Sequence, residues 1–555
     1  MSVEKIMRAV GTFLSRSAAR KLGVSLLFGV FLVGGSIVSV QTGLTSDELG
    51  EQNLFDFNAD AVKRLFRGHV DGFGRYQSYD VTYGDTYYGI GFHTVAFPFQ
   101  VLLQPYLARS LGVDSKTALL LAKHPVVFLL FAVSVVVFYR LARFFIRERS
   151  ITFAVCAAYA AYPYVFGHAM MNVKDCPFMS VYLICTYLSI RLVKHYLQER
   201  TDWFRTDAVG LLFATAALAS IRLPGLVILL QYVFTFGLAD YLKSRAAGSS
   251  ARLLRWQNLV VFSGLLIALV IVTYPVFWIN PVRGILGGLK YMAWHPQQAY
   301  TLTWGHEWEA TAATPTLTYL AGWLVVKLPA MILIGIVLVP FVLKRIILDP
   351  FRQIAYFTLL FGSLYMLIAV VVMRSHLYDE TRQLLFIYPL LFLLGSVALY
   401  AASRKLVVVV ALVSFSLFTW DQVRLHPYQY VYFNEFARFL KIDELFETDY
   451  WGASCREHGR LLQDDPNMRM TNKLICIYAD PDDLYRPFID PRICVQDLLG
   501  FRYLQDIPQR NFVVATYARS RMKMPPNCYQ FSALTRTLPL SNRVITMAVA
   551  YRCNR

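Results

Sequence analysis

Two carboxylates, Asp47 and Glu48, follow the uncharged apolar run Leu22 to Val40 by only a few residues. Such a pair at a membrane edge is costly to bury, and hydrophobic anchoring does not explain it. A carboxylate held there can accept a proton from an attacking hydroxyl. It can also stand beside a developing oxocarbenium centre. Two more charged stretches sit at the ends of apolar runs. One is Asn172-Val173-Lys174-Asp175-Cys176-Pro177. The other runs from Arg374 through His376, Asp379 and Glu380 to Arg382. Arg222, in the break Ser220 to Gly225, is a fourth site. Cations held beside carboxylates where water cannot screen them suit a reaction in which an anionic phosphate departs. Each residue also has a plainer role. Asp47 and Arg222 could face water, Asp175 could cap a helix, and Lys174 could snorkel. Arg374 and Arg382 could pair locally with Asp379 or Glu380. His306-Glu307, between Trp304 and Trp308, could touch a sugar or a metal, but interfacial Trp is ordinarily an anchor. His168 reads as a satisfied polar residue.

The elements that must position these groups are apolar helices. The chain has 555 residues, 56% of them hydrophobic, and a formal charge of +18. Its cations cluster at the ends of apolar runs on alternate loops, which is a topological signal and not a nucleic-acid stripe. Lys5, Arg8, Arg16, Arg20 and Lys21 place the N-terminus in the cytoplasm, and the first run is long enough to be a retained span. Further spans are expected near 118–138, 151–166, 178–192, 259–276, 325–343, 355–373, 384–401 and 406–418. The stretch 208–238 is expected to be two short helices meeting at the Arg222 break. That makes about eleven spans, with outer loops 43–117, 167–177, 277–324 and 374–383. His93 to Leu111, interrupted by Pro98 and Pro105, is expected to lie along the interface in broken form. Val62 to Phe66 reads as part of a short helix.

From 421 to 555 the apolar runs stop, and a small extracytoplasmic α/β domain is expected. Strand-like runs fall at 474–478, 512–516 and 544–550, and helical ones at 453–463 and 495–499. Five cysteines lie there (Cys455, Cys476, Cys494, Cys528 and Cys553), enough for up to two disulfides in an oxidising compartment, with one thiol left over. Their pairing is not readable. No Cys/His metal spacing appears, so no resident metal is expected, although metal dependence stays open.

The Asp-Glu after the first span, NVKDCPF after the third and LYDETRQLLFIYP opening a late span together resemble the glycosyltransferase C superfamily. The branch they resemble is the protein O-mannosyltransferase and aminoarabinose transferase group. TPTLTYLAGWLVVKLP resembles a recurring segment of that group. HPYQYVYFNEF followed by ETDYWGAS resembles the tail of uncharacterised bacterial members. GIGFHTVAFPF departs from the Pro-Pro-Leu-like element usual after the first loop. The resemblance implies a polyprenyl-phosphate-linked sugar donor, an acceptor hydroxyl on a protein, lipid or glycan, and a place in the bacterial inner membrane serving the cell envelope. It further implies a base at Asp47 with Glu48 beside it, Asp175 close by, and cations at Arg374 and Arg382 on the lipid phosphate, with Lys174 and Arg222 as further candidates. Inversion in one displacement is expected. A transporter or lipid flippase is the alternative. Against it, the strong charges lie at span ends, and no pair of broken helices recurs in equivalent halves.

Overall fold

The structure is a computed structural model that describes residues 17–69, 73–247, 253–293, 300–309, 316–470, 473–501, 503–518, 524 and 526–554. Lys5, Arg8 and Arg16 lie outside the described residues. Among the described residues, eight helices are long and apolar enough to cross a membrane, and two bent pairs bring the number up to 10. The chain is a polytopic α-helical membrane protein with a β-rich C-terminal region. The sequence leads one to expect about eleven spans; the helix Thr201–Ile221, 21 residues long with Arg205 and Asp207 near its start, is not among these ten.

The spans sort by how much of each is covered. In Arg382–Ala402, 89% of the apolar window is buried, and in Asp175–Leu197, 78%. Leu22–Ser39 and Trp256–Thr273 are almost bare, at 6% and 11%, and their outward Leu, Val and Ile side chains suit lipid. Both central helices begin at an ionised residue of the charged stretches, so the innermost spans deliver those residues to one end of the bundle.

Several expectations change. Residues 208–238 are not two short helices. Thr201–Ile221 and Ile228–Ala247 are full-length, joined by a tight turn at Leu223–Val227. Gly91–Leu111 is unbroken, with Pro98 and Pro105 inside it and an apolar face (Val95, Phe99, Leu102, Tyr106) left exposed. The third span bends by 56° between Arg149–Ala161 and Pro163–Met171. The eighth turns by 113° between Thr316–Lys327 and Ala330–Ile346, at Pro329. The helix expected around 62–66 runs from Ser46 to Phe66, 21 residues.

The last apolar helix, Arg404–Leu425, runs just past the expected boundary at 420. Beyond it a five-stranded sheet has the order Val495–Asp497, Ile477–Asp480, Asn511–Tyr517, Val544–Asn554, Cys528–Thr537. The first three strands are parallel, and the other two join antiparallel. Val495–Asp497 is therefore a strand, not the expected helix. Disulfides join Cys476 to Cys494 and Cys528 to Cys553, leaving Cys455 as a buried thiol.

This region grips the short tether after the first span. Arg456 Nη1 donates to the carbonyls of Val40 (2.6 Å) and Thr42 (3.0 Å). Gly43 passes so close that a Cβ there would lie 2.2 Å from the Ala453 carbonyl oxygen. The tether leading to Asp47 is fixed from both sides.

Candidate functional site

The tether ends at Thr45, the N-cap of helix Ser46–Phe66. The Thr45 N–H and hydroxyl both donate to Glu48 Oε1, at 2.9 and 3.1 Å. Glu48 Oε2 meets His124 Nε2 at 3.0 Å, and His124 Nδ1 meets the Ser39 carbonyl at 3.1 Å. Glu48 is fully buried in this cap, so the expected pair divides. Glu48 locks the helix start, and Asp47, one residue earlier, turns outward with its side chain 30% exposed.

Arg382 gathers the acids. Its Nη1 lies 3.4 Å from Asp47 Oδ2 and 3.3 Å from Asp175 Oδ2, and its Nη2 lies 2.8 Å from Asp379 Oδ2. Its guanidinium also stacks over Trp451 (4.9 Å) and Tyr378 (5.3 Å). Arg222 Nη1 takes the other oxygen of Asp175 at 2.8 Å. Asp175 is held further by Asn172, whose Nδ2 donates to Oδ2 (3.1 Å) and whose Oδ1 accepts from the Asp175 N–H (2.7 Å). Residues drawn from positions 47, 175, 222 and 382 thus form one charged cluster. Arg382 also pairs locally with Asp379, which is the plainer role expected of it.

Lys174 belongs to a neighbouring layer. It pairs with Glu51 and lies 4.3 Å over the Tyr88 ring. Glu51 Oε2 also meets His93 Nε2 at 3.1 Å. Burial alone raises the Glu51 carboxyl, but the Lys174 ammonium and the His93 hydrogen bond outweigh it, so it stays well below the carboxylate range. His93 is pushed down to about 4, first by burial and then by the Lys123 charge, against the pull of Glu51. A histidine held neutral in the fold binds fewer protons than in the unfolded chain, so its stabilisation is complete above the ordinary value of 6.5 and lost as pH falls toward 4. The purified protein is expected to lose about 3 kcal/mol of stability across that window. His93→Gln should flatten the loss in thermal melts taken at several pH values.

A second pair stands behind Arg382. Lys327 Nζ lies 2.7 Å from Glu380 Oε1, both wholly buried. Asp379 and Glu380 adopt left-handed backbone, at φ 54° and 62°, a conformation that non-glycine residues hold only when their surroundings enforce it. The Glu380 N–H donates to Glu447 Oε1 at 3.2 Å. Burial pushes the Glu380 carboxyl up to about 8, with Lys327 pulling it back. Lys327→Met is expected to destabilise by about 3 kcal/mol by stranding Glu380, and Lys327→Met/Glu380→Leu to recover most of it. Thermal melts of the three proteins check this.

Beside the cluster opens a cavity of about 280 Å³. Arg222, Tyr88, Tyr378 and His376 line its polar end, and Phe178, Tyr182, Phe386, Tyr365, Met366 and Val370 its apolar walls. Asp47 is close enough to Tyr88 and Tyr378 to act on both hydroxyls electrostatically.

Other expected residues lie apart. Arg374 is exposed, with φ 49°, and neither lines the cavity nor pairs with the cluster acids. His306 and Glu307 sit exposed on the hairpin of Tyr300–Thr303 and His306–Glu309, and neither lines the cavity. His168 is buried against Asn172 Nδ2 at 3.0 Å, as a satisfied polar residue should be. Sequence reasoning missed Glu51, His93, Tyr88 and Trp451. Glu51 falls one helical turn after Asp47, a signal available only once helix 46–66 is recognised. For Trp451 no local signal exists.

No family profile and no curated protein matches the chain. Among solved structures, it is similar to ArnT from Cupriavidus metallidurans in the apo state, with 13% identity over 96% of this chain and 98% of that one and a TM-score of 0.44. It is also similar to ArnT from that organism bound to undecaprenyl phosphate, at 13% identity over 95% and 98% and a TM-score of 0.41. Likeness this distant is not a basis for a functional conclusion, which must come from this chain's own residues.

Proposed function

We propose that the chain is an integral-membrane glycosyltransferase that moves a sugar from a polyprenyl-phosphate donor to an acceptor hydroxyl on the non-cytoplasmic face. One observation carries the reading: the cluster of Asp47, Asp175, Arg222 and Arg382 shares Arg222, Tyr88 and Tyr378 with a cavity whose walls are apolar. A charged end joined to an apolar slot suits a lipid whose headgroup is a phosphate-linked sugar.

Roles follow from exposure and pairing. Of the three acids around Arg382, Asp47 is the one open to an acceptor. It takes the hydroxyl proton as the acceptor oxygen forms its bond to the anomeric carbon. The bond from that carbon to the phosphate oxygen breaks, its electron pair stays with the phosphate, and polyprenyl phosphate leaves. Arg222, lining the cavity, is placed to meet the growing phosphate charge, with His376 beside it. Asp175, both of whose oxygens face guanidinium groups, positions Arg222 and Arg382 and accepts no proton. Lys174, engaged by Glu51, shapes the wall around Tyr88. Attack from the face opposite the phosphate inverts the anomeric centre.

The test is mass analysis of lipid-linked sugars and envelope glycans in cells with and without the protein. One polyprenyl-phosphate sugar should accumulate without it, and one glycan, glycolipid or glycoprotein should lose the same sugar. Unchanged profiles of both would refute the reading.

A further inference from the structure

The opposite end of the bundle carries a site that the proposed reaction does not use. The span that starts beside Glu48 at His124 ends at Ala142, and the helix that follows Arg382 ends at Ala402. There Arg147, Arg345, Arg352 and Arg404 line one cavity of about 240 Å³. They come from four separate segments, at the ends of Lys123–Ala142, Ala330–Ile346, Pro350–Val372 and Arg404–Leu425.

Two carboxylates stand nearby, and both are engaged. Glu148 Oε1 meets Arg404 Nη1 at 2.9 Å, and Glu148 Oε2 accepts from the Tyr400 hydroxyl at 2.7 Å. Asp349 caps its helix through the Arg352 N–H (2.9 Å) and lies 3.6 Å from Arg352 Nε. Among the described residues, no carboxylate comes within ion-pair distance of Arg147 or Arg345. Arg143 fixes the turn that presents Arg147, donating to the carbonyls of Ile146 (2.8 Å) and Arg147.

Membrane topology explains basic residues at this end, but it is indifferent to Arg against Lys and to convergence. Here the neighbouring Lys344 and Lys405 stay out of the cavity lining, while all four lining cations are arginines. The guanidinium fork matches phosphate oxygens two at a time. Four guanidinium groups against two nearby carboxylates leave a net positive charge around one space, and an anion relieves that repulsion. Buried Phe145, Ile346 and Val397 add an apolar floor, which suits a ligand with a hydrocarbon part.

We infer that this cavity binds the phosphate of an anionic phospholipid at the cytoplasmic surface. The full chain would be purified from nanodiscs of phosphatidylcholine, with or without phosphatidylglycerol, and the lipids retained counted by native mass spectrometry. The wild type should keep one phosphatidylglycerol under detergent that strips phosphatidylcholine. Arg147→Gln/Arg345→Gln should hold it at least about tenfold more weakly. Arg245→Gln/Arg255→Gln, a basic pair outside the cavity, should hold it as the wild type does. Thermal midpoints in phosphatidylcholine alone check that both variants fold. Equal loss in the two double variants, or no selective retention by the wild type, overturns the site. Stabilisation by inorganic phosphate equal to that by phosphatidylglycerol overturns the assignment to a lipid.

Discussion

Replacing Asp47 with Asn is expected to slow sugar transfer by about 10²- to 10⁴-fold while leaving a folded, membrane-inserted protein. Asn keeps the size and the hydrogen-bonding oxygen but cannot take the hydroxyl proton. The fold should survive because Asp47 is the most exposed acid on Arg382, and Asp175 and Asp379 still satisfy that guanidinium. An ion pair this exposed contributes at most about 1 kcal/mol. The experiment compares size-exclusion profile, thermal midpoint and release of free polyprenyl phosphate for wild type and variant. Wild-type release from D47N would remove Asp47 from the role of base. A lost fold would mean that its role is structural.

The second large effect belongs to Arg382. Arg382→Met withdraws one guanidinium from three carboxylates, two of them with side chains only 2–3% exposed. Stranding buried charge in this way costs about 3–5 kcal/mol, so the variant should be recovered poorly or melt far earlier. Arg382→Lys separates charge from geometry. A lysine keeps the positive charge but cannot fan across Asp47, Asp175 and Asp379 at once, nor stack flat on Trp451. R382K should therefore fold, with a thermal midpoint much closer to wild type than that of R382M, and still transfer sugar at least about tenfold more slowly. Unimpaired transfer by R382K would show that charge alone suffices and that the three-way fan is incidental.

The cluster was legible in the sequence because of parity. Asp47, Asp175, Arg222 and Arg382 each stand at the end of an apolar run, and counting runs from a basic N-terminus puts all four at one end of the bundle. What was not legible follows from how helices and sheets choose their partners. Helix Ser46–Phe66 carries charges along much of its length and buries polar residues such as Glu51, Gln52 and Asn58, so no clean apolar stripe marks it. With the helix unrecognised, Glu51 could not be placed one turn from Asp47, nor opposite Lys174. Gly91–Leu111 tolerates its two prolines in a long continuous helix, where sequence rules written for water expect a break. Val495–Asp497 is a strand because it pairs with Ile477–Ala479, next to the Cys476–Cys494 disulfide, a tertiary choice that overrides local pattern. Trp451 meets Arg382 across 69 positions of sequence. The resemblance of ETDYWGAS to a family tail pointed to that stretch but not to its place over the cluster.

The proposed sugar transfer rests on widely separated residues acting as one reaction centre. The measurement that bears on it most directly is a double-mutant cycle on polyprenyl phosphate release, using Asp47→Asn, Arg222→Met and the two combined. Groups that serve a single transition state are strongly non-additive, so the double variant should be about as slow as D47N alone. Losses that multiply, or a wild-type rate in either single variant, would mean that Asp47 and Arg222 do not share a site.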